Sequence, residues 1–231
     1  MLDVTRTEKK YEIGLQETAD IKRRLSIFMD SDPHNGDRGY LVRSLYFDTL
    51  HDADFEQKVE GQDERQKIRL RVYGAGDQTA KLEVKEKSDA LQRKRSLSLD
   101  REEAMRMMEG DYGFLLQRKE ALAHWLYSFL KVNCYRPKCI VEYDRYAYIS
   151  ECNDTRITFD QNLRASEAHF DIFDENLVLY PVVPPGAVTM EVKYTGFLLS
   201  HLKNELNSCD KIQTSNSKYC TARMISKRGR R

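Results

Sequence analysis

The strongest constraint on the fold of this chain is an alternation of charged and apolar side chains that recurs with a period of two residues. In QKIRLRVYG, residues 66 to 74, Lys67, Arg69, Arg71 and Tyr73 alternate with Ile68, Leu70 and Val72. Successive side chains of a β-strand point to opposite faces, so one face here is apolar and the other carries three positive charges. A single strand of this kind can simply turn its basic face to water, as antiparallel sheets often do.

The pattern repeats. Arg6, Glu8 and Lys10 share one face of residues 6 to 13, with Tyr11 and Ile13 on the other. Lys81, Glu83, Lys85 and Lys87 oppose Leu82 and Val84; Lys94, Ser96 and Ser98 oppose Leu97 and Leu99. Arg156, Thr158 and Asp160 oppose Ile157 and Phe159, while Thr189, Glu191, Lys193 and Thr195 oppose Met190, Val192 and Tyr194. Residues 140 to 149 are ambiguous, because Arg145 shares parity with Val141 and Tyr143.

Between these strands the spacing predicts helices over 17 to 30, 51 to 60, 101 to 109, 115 to 131, 198 to 207 and 217 to 227. Asp100 followed by Glu103 is a capping-box signature. SDPHNGDRG is a turn-rich loop, and 169 to 183 has irregular strand character before Pro184, Pro185 and Gly186 break it. Parallel strands covered on both sides would be almost continuously apolar, so strands with one charged face argue for an antiparallel arrangement. The expectation is one α+β domain over residues 1–231: an antiparallel β-barrel tunnel of about eight strands with helices packed outside. Amphipathic helices cover the apolar faces, and closure gathers the charged faces inside.

A formal net charge of +1 gives no global basic field, which argues against a nucleic-acid partner. A polyanion site must come from local segregation of charge. Arg and Lys make charge-assisted bonds to phosphate oxygens, and the interspersed Glu8, Glu83, Asp160 and Glu191 offset part of the repulsion. A carboxylate among them can hold a hard divalent cation that bridges phosphates. No apolar run reaches the ~18 to 20 residues of a membrane span. The N-terminus lacks the apolar core of a leader, and the odd number of cysteines, five, contains no C-x-x-C pair. The expectation is a cytoplasmic protein with reduced thiols, without a zinc site. The basic tail KRGRR reads as solvated.

RTEKKY, SLYFDT, KIRLRVYG, LEVKEK, YDRYAY, RITFDQNL, MEVKYTG and SKY follow one another in that order. Together they resemble the VTC-type polyphosphate polymerase domain, a branch of the triphosphate tunnel metalloenzymes, over about residues 5 to 225. The resemblance implies the triphosphate tunnel fold, with ATP and polyphosphate or triphosphate held by basic residues. The matching positions are Lys10, Arg69, Arg71, Lys85, Lys94, Arg145, Arg156 and Lys218, with Arg6, Lys81 and Lys193 as further substrate contacts. Glu191 matches the metal-binding glutamate, for Mn²⁺ or Mg²⁺. The related CYTH group opens with E-x-E-x-K; a single Glu8 in RTEKKY fits the VTC-like branch better. Compared with the eukaryotic polymerase, the expectation is a chain without the N-terminal helical regulatory domain and without a membrane segment of its own, with a membrane partner possible but not encoded here. The implied reaction is transfer of the γ-phosphate of ATP to a growing polyphosphate. Metal-dependent hydrolysis of tripolyphosphate or a nucleoside triphosphate, and binding without turnover, remain open alternatives.

Overall fold

The structure is a computed structural model, and it describes residues 6–88 and 91–228. The final residues of the basic tail lie outside that range. In chain order the elements begin with β1 (Arg6–Ile13), α1 (Leu15–Leu25), β2 (Asp30–Ser31), β3 (Tyr40–Asp48) and α2 (Ala53–Val59). There follow β4 (Arg65–Val72), β5 (Thr79–Ser88), β6 (Leu91–Asp100), α3 (Arg101–Met108) and α4 (Ala121–Val132). The chain continues with β7 (Arg136–Ser150), β8 (Thr155–Ser166), β9 (Tyr180–Pro181), β10 (Val188–Thr195), α5 (Ser200–Asn207), β11 (Ile212–Thr214) and α6 (Lys218–Arg228). Eight of the strands are long, and β2, β9 and β11 are two or three residues each.

The chain packs as two compact units. The first comprises residues 1–41, 143–163 and 183–216, with strand order β11-β1-β10-β8-β7. The second comprises residues 42–142, 164–182 and 217–231, with order β7-β3-β4-β5-β6; β7 contributes residues to both. The registered pairs are antiparallel, including Lys10↔Glu191 in the first unit and Arg69↔Glu83 in the second.

Each unit buries the apolar face of its strands under helices, as the alternation requires. In the first, Ile157, Phe159, Met190 and Val192 pack with Ile21 and Leu25 of α1 and Leu202 and Leu206 of α5. In the second, Ile68, Leu70, Leu82, Val84, Leu97 and Leu99 pack with Ala104 and Met107 of α3 and Ala123, Leu126 and Leu130 of α4. Full burial of one such Leu or Ile contributes about 1.5–3 kcal/mol, so these faces fix the strand register. The capping box forms as expected: Asp100 Oδ1 accepts from Glu103 N at 2.8 Å, and Asp100 N donates to Glu103 Oε2 at 3.2 Å.

Three elements differ from the sequence reading. The first helix stops at Leu25, because Ser26 Oγ donates to the Arg23 carbonyl and the next residues tighten into i→i+3 bonds, leaving Phe28 exposed. The helix expected over 115 to 131 is broken: Gly113–Gln117 is a 3₁₀ turn, and Arg118 and Glu120 are extended. Arg118 bonds Glu103 and Glu120, which holds that stretch open. In 169 to 183 only Tyr180–Pro181 is strand. There Arg43 donates to the carbonyls of Ile172 and Asp174, so these backbone groups are satisfied by a side chain instead of a ladder. Among the described residues no helix is long and apolar enough to cross a membrane, and the cysteines carry free thiols.

Candidate functional site

The charged side chains collect on the strand faces that the helices leave uncovered, here called the polar faces. On that of the second unit, β4 and β5 place Arg69 opposite Glu83, Lys67 opposite Lys85, and Arg71 opposite Lys81. β6 adds Lys94 across from Lys85, and β3 adds Ser44 and Tyr46 across from Arg71 and Arg69. Lys67, Lys85 and Lys94 therefore form one basic row across three strands.

Glu83 is the centre of this group. It is 1% exposed, and its carboxylate accepts from Arg69 Nη2 at 2.6 Å and from Lys94, while Arg71 Nη1 lies 3.9 Å away as a longer-range ion-pair partner. Burial alone would raise its pKa, but Arg69, Arg71 and Lys94 outweigh burial and pull it down to about 2. Arg71 also donates Nε to Ser44 Oγ at 3.1 Å. The buried Tyr46 hydroxyl accepts from Arg69 Nη1 at 3.2 Å. Burial works against ionising this phenol, yet Arg69, Lys67 and Arg71 hold it below the usual phenol range.

The start of α6 joins the same unit. Lys67 Nζ donates to Ser217 Oγ at 2.6 Å, and Lys218 is the first residue of the helix. Tyr219 stacks on Tyr46 with ring centroids 5.1 Å apart and donates its hydroxyl to the buried Asp48 at 2.8 Å. Farther along, Arg223 bonds Glu167 and Asp52, and Lys227 bonds Glu56. The helix that carries Lys218 is thereby anchored by its middle and end.

On the polar face of the first unit, Glu191 occupies the equivalent role. It is 6% exposed and faces Lys10 at 3.1 Å, Lys193 at 3.2 Å and Arg145 at 3.8 Å. Glu8 faces the same two ammonium groups, at 3.3 Å from Lys10 and 3.7 Å from Lys193. Arg145 pairs with both oxygens of Asp160, at 2.6 and 2.7 Å. Burial disfavours its charge, but Tyr143, Asp160 and Glu191 outweigh burial and raise its pKa well above the usual value. The parity ambiguity is thus resolved: Arg145 and Tyr143 share the polar face, with the guanidinium over the Tyr143 ring.

Arg156 is held by the turn-rich loop. Its Nη2 lies 2.5 Å from Asp32 Oδ2 and 3.0 Å from Tyr40 Oη. Asp32 also accepts from the His34 backbone at 2.9 Å and pairs with His34 Nδ1 at 2.8 Å. Burial raises the Asp32 pKa, but those His34 bonds and Arg156 outweigh it and hold the carboxyl low. The loop is stitched to β7 by Asn35, which bonds both N and O of Ala147. Gly39 has φ +93°, and a Cβ there would sit 2.2 Å from the Arg145 carbonyl oxygen.

The structure thus brings Lys10, Lys193, Glu191, Arg145 and Arg156 to one polar face and Arg69, Arg71, Lys85, Lys94 and Lys218 to one unit. Lys81 lies on the polar face at its exposed end. Arg6 starts β1 and pairs with the exposed Asp154. Sequence reasoning passed over Tyr46 and Ser44, although SLYFD alternates Ser44, Tyr46 and Asp48 against Leu45 and Phe47. No periodicity could have exposed Asp32, which lies in a loop.

A divalent cation meets a limited donor set. Among the described residues no group of three or more His, Cys, Asp or Glu could hold a metal ion. Glu191, with Glu8 near it, supplies hard oxygen donors already engaged by ammonium groups. These residues fit a hard cation that would be held by one or two carboxylate oxygens.

The family model described as the VTC domain matches residues 5–227. The chain belongs to the VTC domain family. This VTC domain is similar in fold to a candidate adenylate cyclase from Bacillus halodurans, at 14% identity and TM-score 0.51, covering 92% of this chain and 96% of that one. It is also similar to a candidate adenylyl cyclase from Hippeastrum described as having a dominant triphosphatase activity. There the identity is 13% and the TM-score 0.56, with 94% of this chain and 96% of that one covered. No curated protein matches the sequence. The VTC domain therefore shares its α+β, antiparallel-strand fold with these two proteins.

Proposed function

We propose that this VTC domain is a polyphosphate polymerase that uses ATP and a divalent cation, Mn²⁺ or Mg²⁺. What supports the reading is the family match over residues 5–227, on a chain whose polar faces ring buried glutamates with Arg and Lys. A terminal phosphate oxygen of polyphosphate attacks the γ-phosphorus of ATP. The new P–O bond forms as the bond between the γ-phosphorus and the β–γ bridging oxygen breaks, and ADP leaves with the electron pair. Such a transfer asks little covalent chemistry of a protein; positioning and charge stabilisation suffice. Arg69, Arg71, Arg145 and Arg156 offer fixed guanidinium forks, while Lys10, Lys85, Lys94, Lys193 and Lys218 offer point charges. Glu191 would hold a bound cation, which would supply positive charge to offset that of the phosphates.

Polymerisation is favoured over hydrolysis by the length of the basic path. Lys67 to Arg71 and Lys85 to Lys81 run side by side over four residue steps, about 13 Å at ~3.3 Å per residue. That exceeds the need of one triphosphate. The test incubates purified protein with ATP and Mn²⁺ and scores ADP, orthophosphate and chain length on a gel. Long chains, with a lag removed by short polyphosphate, are expected. Orthophosphate without chains would assign hydrolysis, the activity described for the Hippeastrum protein. Tight retention of polyphosphate without ADP would assign a binding module.

A further inference from the structure

We propose that the helix-covered face of the first unit carries a second ligand site, for a small anion with a flat aromatic body, the size of a nucleoside monophosphate. It goes beyond the proposed catalytic reading and does not depend on it. Between β1, β10 and α5 lies a cavity of about 310 Å³. Lys9 and Tyr11 of β1 and Val192 and Tyr194 of β10 line it, alternating along their strands with Glu8, Lys10, Glu191 and Lys193 of the polar face. The cavity is therefore separated from the polar face by the sheet itself.

Its lining sets the class of ligand. Lys9, Lys203 and Lys211 contribute three ammonium groups, and among the described lining residues none is acidic. In a chain with nearly balanced charge this is strong local segregation. Lys211 is fixed in place: its Nζ donates to the Leu206 carbonyl at the end of α5 at 2.5 Å and lies 5.6 Å from the Tyr11 ring centroid. The polar faces hold their cations on buried carboxylates; among the described residues lining this cavity there is no such counter-charge, and an anion would supply it.

The aromatic requirement comes from Tyr194 and from Phe197, which follows the positive-φ Gly196 and stands 67% exposed at the cavity. Such a ring gains by stacking on a planar ligand, and ligand pockets combine apolar walls with a few placed polar groups in this way. The volume lies at the lower end of the ~300–1,000 Å³ range of such pockets and suits one base with one phosphate. A bare phosphate would use the lysines and leave the rings idle; a nucleoside would do the reverse.

The test photolabels the full chain with 8-azido-AMP and maps the modified peptides, with AMP, ribose 5-phosphate and adenosine as competitors. Label is expected in residues 194–211, displaced by AMP at roughly tenfold lower concentration than by either fragment. A Lys9→Glu, Lys203→Glu double variant, both positions lying off the polar face, should lose labelling at least about tenfold and keep ATP turnover. Phe197→Ala should lose labelling several-fold. Label confined to polar-face peptides, labelling unchanged in the double variant, or equal competition by ribose 5-phosphate would overturn the site. None of these outcomes bears on whether ATP is turned over, which is read separately.

Discussion

Arg69 donates both Nε, at 2.7 Å, and Nη2, at 2.6 Å, to the same oxygen of Glu83. The folded pKa of Glu83, about 2, lies below its ordinary 4.5. Ionised Glu83 therefore stabilises the fold above pH 4.5 by about 3 kcal/mol, and that contribution fades as the pH falls toward 2. Glu83→Gln should lower the melting temperature of the free protein and flatten this acid limb. Triphosphate should then raise the melting temperature of the variant more than that of the wild type, because the freed cations seek an anion. Equal shifts in a thermal scan would show that Glu83 does not compete with ligand.

Glu191→Gln should abolish turnover while the circular dichroism spectrum stays native. Calorimetry with Mn²⁺ alone should show weak binding, and binding should strengthen at least about tenfold when tripolyphosphate is present, since phosphate completes the shell. Activity that survives in Glu191→Gln, or in excess chelator, would remove the metal from the reading.

Asp32→Asn should raise the KM for ATP by about tenfold, in line with the ~1.5–3 kcal/mol of a bond between charged groups, and leave kcat within a few-fold. Asp32→Glu should restore part of the loss, because a carboxylate again reaches Arg156. An equal fall in kcat and kcat/KM would place Arg156 in transition-state contact instead of ground-state holding.

Gly39→Ala should destabilise the fold by about 1–3 kcal/mol, since φ +93° is strained for alanine and the added methyl meets the Arg145 carbonyl. Urea unfolding measures the loss. An unchanged midpoint would mean that the loop is not pressed against β7.

Asp54, 3% exposed, accepts from Tyr135 Oη at 2.7 Å. Burial first, then the nearby Asp48, raises its pKa to about 8. The neutral form is the folded form, so its stabilising influence is complete below the ordinary 3.8 and declines as the pH rises toward 8. Asp54→Asn stays neutral, so its denaturation midpoint should fall less than the wild type's between about pH 5 and pH 9. Parallel pH profiles for the two proteins would mean that Asp54 is ionised in the fold.

Much of this arrangement is legible in the linear chain, because alternation is a local property. Arg69, Arg71 and Lys85 could be assigned to one face from parity alone, and registry confirms it. Lys218 could not: it starts a helix, where a period of two has no meaning, and only the SKY motif pointed to it. Asp32 and Gly39 escaped because their roles depend on where a loop lands against β7 and Arg156, contacts separated by more than a hundred residues. The helix ends at Leu25 and Ala121 were missed because side-chain bonds from Ser26 and Arg118 decide them, against the hydrophobic period.

Glu83, at the centre of the second polar face, has a further consequence. On the proposed reading it is a tethered competitor that occupies an anion seat at a high effective concentration, whatever the solution contains. Chloride, acetate or a single orthophosphate must displace a carboxylate that cannot diffuse away, and they bring little charge with which to do so. A chain of linked phosphates engages several cations at once and can win that exchange. The buried carboxylate of Glu83 would thus act as a threshold, making its seat insensitive to the small anions of the surrounding medium and responsive to the charge number of a single molecule.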